Sequence, residues 1–154
     1  MFQGCFIMFR FLFIIVILAF SLQAYSFPCY ITLVKDSCWT NYNVTVNILG
    51  PTNAPLATVT APKGKVWDRV PFVCSPGESL SFNATFTPSF GEQEVGKIYP
   101  ARHSWRLPVT IGKEDTAWNI TLCYPTEFAS VPLPPNVPGP CVCNKESITP
   151  IQPK

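Results

Sequence analysis

The chain has 154 residues, 13% of them charged, a formal net charge of +2 and a single histidine. That length fits one small domain, and the weak, scattered charge offers a phosphate backbone nothing to hold, so nucleic acid is excluded as a partner. One imidazole, His103, cannot build a multi-histidine metal site and would have to carry any histidine acid–base chemistry alone. The expectation is therefore a protein that is not an enzyme and needs no cofactor.

The first 26 residues differ from all that follow. Arg10 precedes the apolar run Phe11 to Phe20, and a shorter, more polar stretch leads to Ser26. This reads as a signal peptide over 1–26, with the small residues Ala24 and Ser26 at positions −3 and −1 of the cut and Phe27 as the mature start. The apolar run is about half the roughly 20 residues a spanning helix requires, so no transmembrane anchor is expected after its removal. Met8 offers an alternative start, which would remove Cys5 from the protein.

Without the leader six cysteines remain: Cys29, Cys38, Cys74, Cys123, Cys141 and Cys143. An even number in an exported chain points to disulfides, and spacing leaves their pairing open. Cys141-Val142-Cys143 has no C-x-x-C counterpart, which argues against zinc. The two cysteines could exchange disulfides as a redox pair. The preferred reading is that each ties the tail to a different partner in the domain.

In chain order, strands are expected at 30–34, 42–49, 56–61, 65–74, 79–87, 104–110 and 117–124, because apolar and polar residues alternate there with period two. Val44, Val46 and Ile48 share one face with Tyr42, while Asn43, Thr45 and Asn47 share the other. The same split separates Leu80, Phe82, Ala84 and Phe86 from Ser81, Asn83, Thr85 and Thr87, and Trp118, Ile120 and Leu122 from Asn119 and Thr121. Gly- and Pro-rich turns such as Gly50-Pro51 and Ser75-Pro76-Gly77 divide the segments, and no amphipathic helix interrupts them. Pro71 and Pro108 withhold ladder donors, so their strands should be edges or bent. The fold class expected is all-β: an antiparallel β-sandwich, immunoglobulin-like, of about seven strands over 27–130.

Residues 131–154 carry seven prolines and read as an extended, polyproline-like tail. Its expected role is a strap clipped to the sandwich by Cys141 or Cys143; the alternative is a proline-rich docking segment. The stretch 144–154 lacks an apolar pattern and is expected to be disordered.

Several constellations could carry function. Asn43, Asn83 and Asn119 each begin an N-x-T sequon, a glycan acceptor if the secreting cell is eukaryotic and an outward-facing strand residue otherwise. Among four tryptophans, Trp105 and Trp118 share faces with apolar residues and are assigned to the core. Trp39, followed by Thr40-Asn41, and Trp67, close to Lys63, Lys65 and Arg69, are the candidates for an exposed stacking platform. His103 lies between Arg102 and the Ser104-Trp105-Arg106 run with no nucleophile motif, so a loop role is expected. Glu92 and Glu94 are too few for a calcium cage and read as a solvated tip.

Phe27-Pro28-Cys29-Tyr30, Asp36-Ser37-Cys38-Trp39 and Cys123-Tyr124-Pro125 resemble small exported proteins of Gram-negative bacteria. The resemblance implies a periplasmic or secreted address and brings no activity with it. The stretch Cys74 to Phe86 is similar to a strand-turn-strand of the MD-2-related lipid-recognition family, whose two-sheet sandwich opens around a lipid. That second resemblance implies a lipid carrier. The leading expectation is a non-enzymatic envelope protein that binds or organises a protein or other envelope component, with lipid carriage or glycan binding as alternatives.

Overall fold

The computed structural model describes residues 27–137 and 139–151; the leader, with Met8 and the cleavage site, lies outside them. The described residues form eight strands: β1 (Phe27–Lys35), β2 (Asn43–Leu49), β3 (Pro55–Ala61), β4 (Trp67–Cys74), β5 (Ser79–Thr87), β6 (Tyr99–Pro100), β7 (Trp105–Arg106) and β8 (Trp118–Tyr124). Two short 3₁₀ turns, Ser37–Trp39 and Glu92–Glu94, complete the regular structure. The strands lie in two sheets, one of three strands in the order β4-β1-β8 and one of five, in the order β3-β2-β5-β6 with β7 also on β5. This is an all-β architecture with the layers of a sandwich.

Alternation decides which side of each strand is buried. Phe27, Cys29, Ile31 and Leu33 of β1 point inward with Phe72 of β4 and Ile120 and Leu122 of β8. They meet Val44, Val46 and Ile48 of β2, Val59 and Ala61 of β3, and Leu80, Phe82, Ala84 and Phe86 of β5. β1 begins three residues earlier than periodicity predicts, and Pro28 is tolerated because β1 is paired there only with Val73 of β4; pairing with β8 starts at Cys29.

Two expectations need correction. The predicted strand over 104–110 shrinks to Trp105–Arg106, because Pro108 has no N–H to donate and its carbonyl accepts from Gly77 N in the neighbouring turn. The pairing is also not uniformly antiparallel: β1 and β8, the first and last strands, run parallel, and the rest of the domain serves as their crossover. Pro71 does lie on an edge strand, β4.

Three disulfides are present: Cys29–Cys74, Cys38–Cys141 and Cys123–Cys143. The first joins β1 to β4 on the inner side. The other two send the adjacent tail cysteines to different partners, so Cys141 and Cys143 form no dithiol pair. Beyond Cys143 the tail lies against β4, which corrects the disorder expected for 144–154 over its described part, 144–151: Trp67 Nε1 donates to Ser147 O at 3.1 Å and Arg69 Nη1 to Thr149 O at 2.9 Å.

Candidate functional site

Trp67 opens β4, and its indole is fixed from two directions. Its Nε1 is held by the tail carbonyl of Ser147, and the Arg69 guanidinium stands 5.4 Å from the ring centroid, on the same side of β4 two residues on. Arg69 is fixed in turn: Nε donates to Thr32 Oγ1 at 2.7 Å, and Thr32 Oγ1 donates to Asn119 Oδ1 at 2.8 Å. A chain of contacts thus runs from the tail through β4 and β1 to β8. Beside the indole lies an open cleft of about 370 Å³, lined by Lys65, Val66, Trp67, Asp68 and Ser147. One wall is strand, and the other is tail pinned by the two tail disulfides. Trp67 itself is half-buried.

Trp39 has a different fate. Asp36 caps the 3₁₀ turn, its carboxylate accepting from Cys38 N at 2.9 Å, and the turn swings the indole between the sheets. There it is fully buried against Tyr42, Phe86, Phe90 and Tyr124, with centroids 4.7 to 5.6 Å away. A ring packed on all sides has no face for a ligand, so of the two platform candidates only Trp67 borders open space. The polar pair Thr40-Asn41 belongs to the turn and says nothing about the indole beside it. Trp39 Nε1 and the Tyr124 hydroxyl are both buried with no hydrogen-bond partner among the described residues.

Lys35 ends β1 on the inner side, buried, with Nζ donating to Tyr42 O at 2.7 Å and Pro62 O at 2.8 Å. Burial lowers its pKa to about 8. Burial raises the pKa of Asp36 against the opposing effect of the amides of Cys38 and Trp39, and raises that of Tyr124, aided by the negative charges of Asp36 and Glu94. Lys35 reaches from one layer to carbonyls that flank β2 and β3 of the other, so its geometry is that of a joint.

The remaining candidates are spoken for. His103 is exposed, stacked on Trp105 at 4.0 Å between centroids and 3.8 Å from Glu127. Glu94 pairs with Lys97 at 3.3 Å and accepts from the Tyr99 hydroxyl. The open depression lined by Phe90, Gly91, Glu92, Gln93 and Glu94 is the concavity of one loop. Asp36, Cys38 and Cys141 place one ligand-type atom each within 4.8 Å, but both sulfurs are spent in a disulfide and offer no thiolate. The sequon residues Asn43 and Asn83 stand on the outer face of the five-stranded sheet, and Asn119 stands exposed on that of the three-stranded sheet.

Trp39, Phe82, Tyr99, Tyr124 and Phe128 fill the interior at under 2% exposure each. The lipid-carrier reading of 74–86 draws no support from an interior so occupied. Sequence reasoning missed the second wall of the Trp67 cleft, Ser147, because a polar residue in a proline-rich tail carries no periodic signal. Comparison with known proteins finds no matching family and no matching curated relative.

Proposed function

We propose that this protein is an exported, non-enzymatic, immunoglobulin-like β-sandwich that works by binding, and that it presents the Trp67 cleft to a protein or other envelope partner. The observation that carries the reading is an indole held in one orientation by Ser147 and Arg69 while bordering open space. A tryptophan that only fills a core is enclosed, as Trp39 is, and one that merely decorates a surface is not clamped from two sides. Preorganisation of this kind lowers the ordering cost of binding. The exported address is supported by three disulfides, which persist in oxidising compartments, and by the apolar leader of the sequence. No helix among the described residues is long and apolar enough to cross a membrane. Two packed layers of short strands support the immunoglobulin-like kinship. The non-catalytic reading is supported by oxidation of all six described cysteines and by the surface setting of His103.

The test is a photo-crosslinking residue placed at Val66, in the cleft, and at Thr60, on the opposite sheet, in protein made by its native host. A discrete adduct is expected from position 66 and none from 60. Equal labelling at both positions, or none at 66, removes the cleft as the binding surface.

A further inference from the structure

We infer that β8 is a pairing edge, and that a second copy of this chain takes it, antiparallel, with the two-fold axis at Thr121. The edge is visible in the ladder. β8 ends the three-stranded sheet, with β1 as its strand partner. Tyr124 O accepts from Asp36 N at 2.9 Å, so Tyr124, and every second residue back through Leu122 and Ile120 to Trp118, turns its backbone groups toward β1. Asn119, Thr121 and Cys123 turn theirs the other way. On that side, among the described residues, Asn119 and Thr121 form no backbone hydrogen bond, and Cys123 O accepts from Glu127 N alone. The side chains do not fold back over the edge: Asn119 Nδ2 donates to Thr121 Oγ1 at 3.1 Å and Asn119 Oδ1 accepts from Thr32, both on the outer face.

The other edges are blunted in the ways natural sheets use to refuse an added strand. Val66 O faces β1, accepting from Lys35 N, so Pro71 of β4 sits where the backbone turns outward and has no N–H to offer there. Arg69 adds a charge on the same strand, and the tail lies against it. β3 runs alongside β4 on the closed side of the sandwich. β6 and β7 are two residues each. β8 runs seven residues with no charge and no proline, and its register is unbroken.

The strand's own sequence selects the partner. Trp118-Asn119-Ile120-Thr121-Leu122-Cys123-Tyr124 reads alike in both directions by residue class, with an aromatic at each end, aliphatics at Ile120 and Leu122, and Thr121 at the centre. Laid antiparallel on its own copy about Thr121, it sets Trp118 opposite Tyr124, Asn119 opposite Cys123, Ile120 opposite Leu122 and Thr121 opposite itself. Thr121 then exchanges both backbone bonds with its twin, and Asn119 exchanges them with Cys123, whose carbonyl has a second lone pair. No charge meets a like charge, and the inward row matches aromatic to aromatic and aliphatic to aliphatic. Trp118, half-buried, and Ile120, 8% exposed where Leu122 is fully buried, are the inward residues of β8 that a neighbouring strand would cover.

The pairing joins two three-stranded sheets into one, in the order β4-β1-β8-β8-β1-β4. Five strand intervals of about 4.8 Å then set the two β4 strands about 24 Å apart at the outer edges. Each keeps its Trp67 cleft, so the dimer presents two clefts to a partner that repeats. The pairing itself does not depend on what the clefts bind.

The experiment is hydrogen exchange read residue by residue by NMR on the mature, oxidised chain, with sedimentation equilibrium alongside. Concentration is raised from about 10 μM to about 1 mM, the span in which an interface this small is expected to dimerise. The amides of Asn119, Thr121 and Cys123 are expected to gain several-fold protection as dimer forms, while those of Ile120 and Leu122, held by β1 in the monomer, stay as they were. Thr121→Pro removes the central outward N–H without touching the β1 ladder, and Thr121→Lys sets two cations face to face at the axis. Either is expected to leave a monomer at the highest concentration; Thr121→Lys decides the matter should Thr121→Pro fail to fold. A monomer at every concentration, a dimer whose Asn119, Thr121 and Cys123 amides stay unprotected, or a dimer that survives Thr121→Lys overturns the inference. Protection of the same three amides in an equimolar complex with a different chain, purified from the native host, overturns it too, by giving the edge to a foreign strand.

Discussion

The two sheets have outer faces written in the same alternating code, and the fold treats them in opposite ways. On the five-stranded sheet the outward residues Thr45, Thr60, Asn47, Thr58 and Asn83 stay in contact with solvent, linked by side-chain hydrogen bonds such as Thr45–Thr60 at 2.9 Å and Thr58 to Asn47 at 2.8 Å. On the three-stranded sheet the outward residues Thr32 and Val34 of β1 are fully buried. Val34 lies in register with Cys123, whose disulfide to Cys143 brings the tail over it, and Thr32 lies beneath Arg69, itself held by Thr149. A strand residue that points away from the core is buried either by long side chains of its neighbours in the sheet or by a segment laid over it. Here Thr32 is covered by Arg69 of β4 and Asn119 of β8, with Arg69 held in turn by the tail at Thr149, and Val34 is met by the tail directly at Cys143. The bare face shows a solvated β-layer; the strapped face shows the same layer with one wall of a site added.

Removing the tail disulfides should abolish the difference, and it is the largest effect expected. Cys38–Cys141 spans a sequence separation of 103 and Cys123–Cys143 one of 20. In the chain-entropy account a crosslink over the longer span contributes about 5 kcal/mol, and the shorter about 3 kcal/mol, with incomplete additivity. Cys38→Ser with Cys141→Ser should lower unfolding stability by about 3–5 kcal/mol in denaturant titration. Hydrogen exchange should then show the Val142 and Ser37 amides, which bond across the tail and turn, losing protection ahead of β2 and β3. Protection that survives in those two amides would mean that contacts other than the disulfide hold the tail.

The joint between the layers can be probed by pH. Lys35 has a folded pKa of about 8 against an ordinary value of 10.5. Between those values the unfolded chain keeps a proton that the folded protein has released, so stability rises with pH across that window and falls away as pH drops through 8. Above about pH 10 the sign reverses, because burial keeps the Tyr124 hydroxyl neutral while an unfolded tyrosine ionises. Denaturation midpoints measured from pH 7 to 10 should therefore climb, and Lys35→Met should flatten the climb. An equal climb in that variant would assign the effect to other groups.

How much of this could be read from residues alone follows from where each signal lives. β2, β5 and β8 were legible because Val44-Val46-Ile48, Leu80-Phe82-Ala84-Phe86 and Ile120-Leu122 repeat an inward position every second residue. β6 was not, because two residues hold no period. Trp39 was misplaced because a side chain in a turn takes its direction from the cap, and Asp36 acts through one hydrogen bond to Cys38 that periodicity does not register. Trp67 could be singled out from its cationic neighbours, yet the wall opposite it could not. Ser147 and Thr149 meet β4 through backbone carbonyls, which every residue possesses, and at a separation of 80 in sequence. The strap's anchoring by both Cys141 and Cys143 was within reach, since two cysteines one residue apart cannot readily pair with each other and so look elsewhere.

The finest distinction between the faces is a single hydroxyl on each. Thr32→Val keeps the shape of a buried outward residue but removes the acceptor of the half-buried Arg69 Nε and the donor to the exposed Asn119. A loss of about 1–3 kcal/mol is expected, because the half-buried Arg69 guanidinium loses an acceptor, whereas Asn119 can turn to water. The equivalent change on the other sheet, Thr60→Val, removes an equally short hydroxyl pair with Thr45, yet water can replace what is lost. Its effect should stay within about 0.5 kcal/mol. The two substitutions are chemically identical, made on outward positions of neighbouring layers, so urea midpoints that differ between them measure what the tail adds. Matching midpoints would mean that Thr32 is wetter than its burial implies and that the strap covers the sheet without sealing it.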